Sequence, residues 1–153
     1  MTTDDASAAL TEVRSTLLFI GTKGPGGDHF MLANWGTQAS FDPWRYVILL
    51  KKTSHTLANA KAAKSFTVNL LDAPQKALVT RLMKAHGDGE KGEAGPSGAP
   101  RLPQAYAGFD CKVLDVLDVG GDHALVVADV LDGWKRDGGP ALTVQDAKLS
   151  YAG

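Results

Sequence analysis

The stretch Tyr46-Val-Ile-Leu-Leu-Lys-Lys-Thr-Ser-His-Thr56 joins a continuous apolar run directly to the start of a helix. Its apolar part predicts a strand from Tyr46 to Lys52 that is buried on both faces for most of its length. Thr53 or Ser54 then predicts the N-cap of a helix of about ten residues, from His55 to Lys64. This segment is therefore expected to place a helix N-terminus at the end of a central strand.

Further strands are expected on both sides of this segment. They are predicted at residues 15–22, 29–35, 37–41, 65–71, 108–119, 123–132 and 141–151, the last being the weakest. Residues 65–71 alternate apolar and polar side chains, as in a half-buried strand. Glycine-rich turns at 23–28 and 120–122 join neighbouring strands as hairpins. We therefore predict a mainly β (α+β) fold, a closed or split β-barrel that is mostly antiparallel, with two or three packed helices.

Helices and one long loop complete the expected organisation. A short helix is predicted over residues 4–14, and Asp72 with Gln75 resembles a capping box that opens another. Eight glycines and prolines interrupt residues 86–104, which predicts a long irregular loop, mobile in its 86–100 part. This loop is either a lid over a site or an exposed insertion.

Composition and charge narrow the function classes. The chain has 153 residues and a formal net charge of −1, which fits a single domain over 1–153 and gives no long-range attraction to nucleic acid or anionic lipid. Cys111 is the single cysteine, and the acidic N-terminus lacks the pattern of a signal peptide. No apolar run approaches the roughly 20 residues of a membrane helix. These features predict a cytoplasmic protein that binds neither nucleic acid nor membranes.

A metal site is not expected. The four histidines, His29, His55, His86 and His123, are widely spaced, and no two of them share one face of a helix. The sequence also lacks the glycine-rich phosphate loops and the nucleophile motifs that carry a recognisable mechanism.

Two segments contain more hydrogen-bonding and charged side chains than a purely structural role requires. Residues 31–43 mix hydrogen-bonding, apolar and small side chains, which suits a wall against a planar heteroaromatic ligand. The alternative is an ordinary edge strand. Residues 51–56 place two lysines and three hydroxyl side chains at a helix start, where free amides and the helix dipole favour a phosphate. Here the alternative is a simple N-cap beside solvated lysines.

The order of these motifs resembles the flavin reductase-like family. The resemblance is carried by Asn34-Trp-Gly-Thr-Gln-Ala-Ser-Phe-Asp-Pro43, the strand to Lys52, Ser54-His-Thr56, the strand from Ser65 to Leu71, and Asp122-His-Ala-Leu-Val-Val-Ala-Asp-Val130. It covers most of the chain. It implies an FMN-binding split barrel, usually a homodimer, with FMN at the subunit interface.

The same resemblance implies roles for particular residues. The isoalloxazine ring and ribityl chain would be lined by Asn34, Trp35, Gly36, Thr37, Gln38 and Ser40. The FMN phosphate would be held by Lys52, Ser54, His55 and Thr56. His123 would lie where a nicotinamide approaches and would act as the catalytic residue, the alternative being a hydrogen bond to a neighbouring loop. Trp35 and Trp134 would either stack on a ring or belong to the core or a dimer interface.

The implied activity is NAD(P)H-dependent flavin reduction, with hydride passing from the nicotinamide to flavin N5. FMN is the expected flavin and FAD the alternative one, while electrons would leave to free flavin or to a partner oxygenase. A different class of function is also compatible with these motifs: an FMN-binding electron carrier or flavin-storage protein without NAD(P)H turnover.

Overall fold

The computed structural model describes residues 3–85 and 89–149. Its three α-helices are α1 (Thr3–Thr11), α2 (His55–Ala63) and α3 (Lys76–Lys84), and a short 3-10 turn at Ala73–Gln75 precedes α3. Its strands are β1 (Leu18–Gly24), β2 (Gly27–Ala33), β3 (Gly36–Phe41), β4 (Trp44–Lys51), β5 (Ser65–Leu70), β6 (Glu93–Ala94), β7 (Pro100–Arg101), β8 (Ala107–Asp118) and β9 (His123–Lys135). In this described part, no helix is long and apolar enough to cross a membrane.

Seven strands form one antiparallel sheet in the order β2-β1-β5-β8-β9-β4-β3. Strands β2 and β3 therefore lie at opposite edges, although only Asn34 and Trp35 separate them along the chain. Such a short link brings the two edges close together without pairing them, so the sheet curls into a barrel that remains open between β2 and β3. The prediction of a mainly antiparallel β fold with two or three helices is confirmed.

Two hydrophobic clusters support the sheet. The first fills the concave side and includes Ile48, Leu50, Phe66, Val68 and Val126, all at most 1% exposed. Its side chains come from β4, β5 and β9, with α2 closing one end through Leu57 and Ala60. The second cluster packs α3 and the chain around residue 102 against β1 and β2. Because the two clusters lie on opposite faces of the sheet, β1 and β5 are buried on both faces.

The burial of β4 and β5 is the reverse of what their sequence patterns predict. Strand β4 alternates, with Tyr46, Ile48 and Leu50 buried and the residues between them half-buried or exposed. Strand β5 is buried on both faces, because Thr67 donates to Pro100 O and the Asn69 amide oxygen accepts from Leu102 N. The polar residues of β5 bond to the covering chain, so their polarity does not mark a solvent-facing side.

Two further expectations are corrected. Residues 141–151 do not form a strand in their described part, residues 141–149, which make isolated bridges at Ala141 and Thr143 and then turns. The glycine- and proline-rich segment contains the short β6–β7 pair, so it is not wholly irregular. Of that segment, residues 86–88 lie outside the described part, as do 1–2 and 150–153.

Both capping predictions are confirmed. Ser54 Oγ accepts from Leu57 N at 3.1 Å at the start of α2, and the Gln75 side chain accepts from Asp72 N at 3.2 Å before α3. Helix α2 ends one residue before Lys64, which adopts φ 56° and directs the chain into β5. The strand–helix–strand arrangement expected around residues 46–71 is therefore present.

Candidate functional site

The outer face of the sheet at β3, β4 and β9 carries one part of the predicted site, and the start of α2 carries the other. Antiparallel register places Thr37 beside Val47 and Lys51 beside His123. Since directly opposed residues of a pair share one face, these side chains all point away from the buried Ile48 and Leu50. The face runs from the edge strand β3 to the start of α2.

Trp35 and His123 meet at the centre of this face. Leu49 N donates to Trp35 O at 2.9 Å, which fixes the link residue against β4. The rings of Trp35 and His123 lie 4.6 Å apart between centroids with a 51° tilt. Trp35 is 45% exposed and His123 only 7% exposed, so the indole forms an accessible surface over the imidazole. An exposed ring in this position offers a stacking surface to a planar ligand.

His123 is paired with the neighbouring carboxylate. Its Nδ1 donates to Asp122 Oδ1 at 2.7 Å, and this hydrogen bond lowers the pKa of Asp122 below its ordinary value. An ionised carboxylate only accepts, so the proton of a neutral His123 resides on Nδ1.

The wall predicted at residues 34–40 has an inner and an outer part. Thr37, Gln38 and Ser40 lie on the exposed edge strand, where Gln38 Nε2 donates to Ser40 O at 3.2 Å. Asn34 is 6% exposed and donates to Ser15 Oγ at 3.0 Å. Thr37 is opposite Val47 and so lies on the outer face, whereas Gln38 is opposite the buried Tyr46 and belongs to the other face of the strand. The role of Asn34 beside a ligand stays a prediction.

Gly36 also faces inward. A Cβ at this position would lie 2.5 Å from the Tyr46 hydroxyl and 3.0 Å from Leu18 Cδ1. The missing side chain thus makes room for the core, and the predicted place of Gly36 beside a ligand stays a prediction. It is the packing of Tyr46 that requires glycine here.

The predicted phosphate-binding residues at the start of α2 also differ in exposure. His55 is exposed and Ser54 half-buried, whereas Thr56 is fully buried and donates to Met31 Sδ at 3.1 Å. The Thr56 hydroxyl therefore faces the interior, and its role at a phosphate stays a prediction. Its backbone N–H and that of His55 precede the first internal hydrogen bonds of the helix and point out of its end.

Lys52 is held by the β8–β9 turn. Its Nζ donates to Asp118 Oδ1 at 2.8 Å, and its backbone N donates to Asp122 O at 2.9 Å. The side chains of Lys52 and Asp118 are 38% and 71% exposed, so the ion pair lies at the surface. The turn that carries His123 therefore also reaches the helix start.

These contacts make the two predicted halves of the site continuous. Trp35 contacts His123, His123 is opposite Lys51, and Lys52 is bonded to the turn before His123. The outer face offers an exposed indole, hydroxyl groups on β3, and an ammonium, an imidazole, a hydroxyl and free amides at α2. This donor set fits a ligand with a flat polar ring at one end and a phosphate at the other.

Sequence reasoning missed the surface cavities in the described part of the chain. One is an apolar groove of about 680 Å³ between the far ends of the β3–β4 and β8–β9 hairpins, lined by Phe41, Trp44, Tyr46, Phe109 and Trp134 among others. Two exposed aromatic side chains around an Asp-Pro turn were the available signal.

The second missed cavity is a cleft of about 540 Å³ between the β1–β2 turn and α2, which includes His29, His55 and Asn59. In the sequence, the run of glycines at the β1–β2 turn was the signal for this cleft.

In the part of the chain that the structure describes, no three His, Cys, Asp or Glu side chains cluster as metal ligands. Burial raises the pKa of the Cys111 thiol, which therefore is not a nucleophile.

The open antiparallel barrel with packed helices has the architecture of a split barrel. The family model described as flavin reductase like domain matches residues 10–152. The chain belongs to the flavin reductase-like family.

Individual relatives agree with this membership. The chain is 27% identical over 146 residues to FMN reductase (NADH) RutF 2 of Rhizobium rhizogenes, covering 92% of this chain and 83% of that protein. It is 30% identical over 101 residues to the stachydrine N-demethylase reductase subunit Stc3 of Rhizobium meliloti, covering 64% of this chain but only 44% of that protein. Among solved structures, an FMN-binding protein from Thermus thermophilus matches with a TM-score of 0.74 and 25% identity, over 85% of this chain and 81% of that one.

Proposed function

We propose that this protein is an FMN-binding flavin reductase that uses NAD(P)H. The observation that carries the proposal is the continuity of the outer face, from the exposed Trp35 through His123 to the start of α2. Membership of the flavin reductase-like family supports it, as does the likeness to an FMN reductase that uses NADH.

The flavin would be held at its two ends. Thr37, Gln38 and Ser40 would meet the polar edge of the ring and the ribityl chain, and Trp35 would cover part of the ring. Lys52, Ser54 and His55 would hold the phosphate, together with the backbone amides of the first helical turn. The intact Leu57 N–Ser54 Oγ bond leaves the Ser54 hydroxyl proton free for a phosphate oxygen.

The bound flavin would supply the redox chemistry, taking up a hydride from the nicotinamide at N5. The chain would position both rings and exclude water between them. His123 would act on the nicotinamide side, with its Nδ1 held by the hydrogen bond to Asp122 Oδ1. FAD is an alternative flavin within this proposal.

Rapid mixing of the FMN-loaded protein with NADH or NADPH tests the activity. Bleaching of the oxidised flavin absorbance at a rate that depends on nicotinamide concentration is expected. His123→Ala should slow this bleaching while changing FMN affinity little. His29→Ala is the control, because it removes an imidazole of the β1–β2 hairpin that is not among the predicted site residues. Tight FMN binding without any bleaching would instead assign the protein as an electron carrier or flavin store.

The assembly is the second part of the proposal. A homodimer would cover the apolar part of the outer face and complete the flavin site at its interface.

A cytoplasmic location fits the single free cysteine. A partner oxygenase that takes the reduced flavin is supported by the likeness to Stc3, a reductase subunit of a demethylase. Consumption of NADH coupled to product formation by an added flavin-dependent oxygenase would test that last step.

A further inference from the structure

The ion pair between Lys52 and Asp118 has a consequence for how firmly a flavin is held. Lys52 is the flexible side-chain cation among the proposed phosphate ligands, and its ammonium already donates to Asp118 Oδ1 at 2.8 Å. Any anion that reaches the start of α2 meets this lysine together with its carboxylate partner. The contact therefore bears directly on phosphate binding.

Asp118 is fixed in place by the turn that bears it. The same Oδ1 also accepts from Gly120 N at 2.8 Å, and Gly120 adopts φ 87°, which shapes the turn. The two hydrogen bonds hold the carboxylate in its ionised form. Since Lys52 N is bonded to Asp122 O, turn and helix start are tied together at the backbone as well. Asp118 thus cannot swing far from Lys52 without breaking the turn.

The ion pair is weak enough for a phosphate to replace Asp118 as the partner of Lys52. The side chain of Lys52 is 38% exposed and that of Asp118 71% exposed, and ion pairs exposed to this degree are weak and easily replaced. A phosphate, with two charges and several acceptor oxygens, competes well for a lysine that is held by one carboxylate. After the exchange, the fixed carboxylate remains close to the phosphate and repels it.

We propose that Asp118 competes with the flavin phosphate for Lys52 and so keeps the flavin exchangeable. The inference rests on the proposed function, because it names what regulates the phosphate end of that same site. Its consequence is that the flavin is a passing substrate or a loosely held group, which leaves after reduction. Removal of the Asp118 charge should tighten every flavin that carries the phosphate and leave riboflavin unaffected.

The test compares FMN and riboflavin affinities for the full chain by fluorescence titration. In Asp118→Asn, FMN should bind about two- to five-fold more tightly, as expected for the release of an exposed ion pair. Its dissociation, followed by dilution into excess apoflavodoxin, should slow by a similar factor. Riboflavin affinity should not change. Asp137→Asn alters the net charge equally at an exposed position on a different turn, and it should have no effect on either ligand.

A second background shows whether Lys52 carries the effect. Lys52→Met should weaken FMN binding by itself, and Asp118→Asn should then add much less than it does in the unaltered chain. Unchanged FMN affinity in Asp118→Asn, with FMN still bound more tightly than riboflavin, overturns this inference and leaves the proposed function intact. Equal affinities of the unaltered chain for FMN and riboflavin overturn the phosphate site, and the inference with it.

Discussion

The buried Tyr46 side chain determines which residue can occupy position 36 in the predicted site. The Tyr46 ring is 8% exposed and packs edge-on against Phe109 at 4.8 Å between centroids, and burial raises the pKa of its hydroxyl well above the ordinary value. That hydroxyl occupies the space a Cβ of residue 36 would need. Strand β3 can therefore lie flat on β4, with Thr37 facing outward, only when residue 36 has no side chain.

Gly36→Ala should lower the free energy of unfolding by about 1–3 kcal/mol, because one added methyl group overpacks the core. Urea unfolding followed by tryptophan fluorescence would measure the loss. Tyr46→Phe removes the oxygen at the point of contact, so Gly36→Ala should cost less in that background. An equal cost in both backgrounds would place the clash at Leu18 and not at the hydroxyl.

At the scale of elements, the order of strands and helices was predictable and their burial was not. Gly-rich turns, a Ser54 cap and the Asp72–Gln75 box are local signals, and each is found where the sequence places it. The polar residues of β5 led to the wrong prediction of a half-buried strand, because their partners, Pro100 and Leu102, lie 33 residues away along the chain. Local periodicity carries no information about such a cover.

Site residues show the same division. The segments 31–43 and 51–56 were identifiable from composition, yet which side chain faces outward depends on register. Asn34 and Thr56 are polar because they bond to Ser15 and Met31 inside the protein. The pairing of Lys52 with Asp118 spans 66 residues, and only the fold brings them together.

The chain from β6 to β7 is an element whose order depends on one buried carboxylate. Asp110, fully buried on β8, accepts from Ser97 N and Oγ and from Arg101 Nε, the last at 2.6 Å. Arg101 also donates to the exposed Asp132 at 2.9 Å and lies over the Trp134 ring. Composition alone predicts a mobile loop here, whereas these contacts favour an ordered segment with slow amide exchange at Ser97 and Ala99.

Asp110→Asn should release this segment. The buried pair loses its charge, so the free energy of unfolding should fall by up to about 3 kcal/mol and amide exchange over residues 95–101 should accelerate. Asp132→Asn removes the other carboxylate on Arg101 and is the matched control, with an expected cost below about 1 kcal/mol because Asp132 is half-exposed. Hydrogen-exchange mass spectrometry would compare the two. Fast exchange in the unaltered protein would contradict the ordering role.

At the scale of the whole molecule, the outer face carries more apolar surface than its polar ligand groups account for. Val47 and Leu49 on β4 lie directly opposite Val127 and Leu125 on β9, and Leu117 on β8 continues the row at 42% exposure. A contiguous apolar patch on a sheet of this size is typical of a surface that another protein covers. The proposed flavin ligands lie at the border of this patch, so whatever covers the patch would also border the proposed flavin site.

We expect a second copy of the chain to provide that cover. Light scattering should give a particle of twice the 16.1 kDa chain mass. Val127→Lys buries a charge in the centre of the patch and should shift the particle to the monomer, and FMN affinity should fall with it because one wall of the site is lost. Leu10→Lys places the same charge on α1, which has no buried residues, and should leave both mass and affinity unchanged. A monomeric unaltered chain that still binds FMN would mean that one protomer holds the complete site, and Trp35, His123 and the helix start would then suffice without a partner.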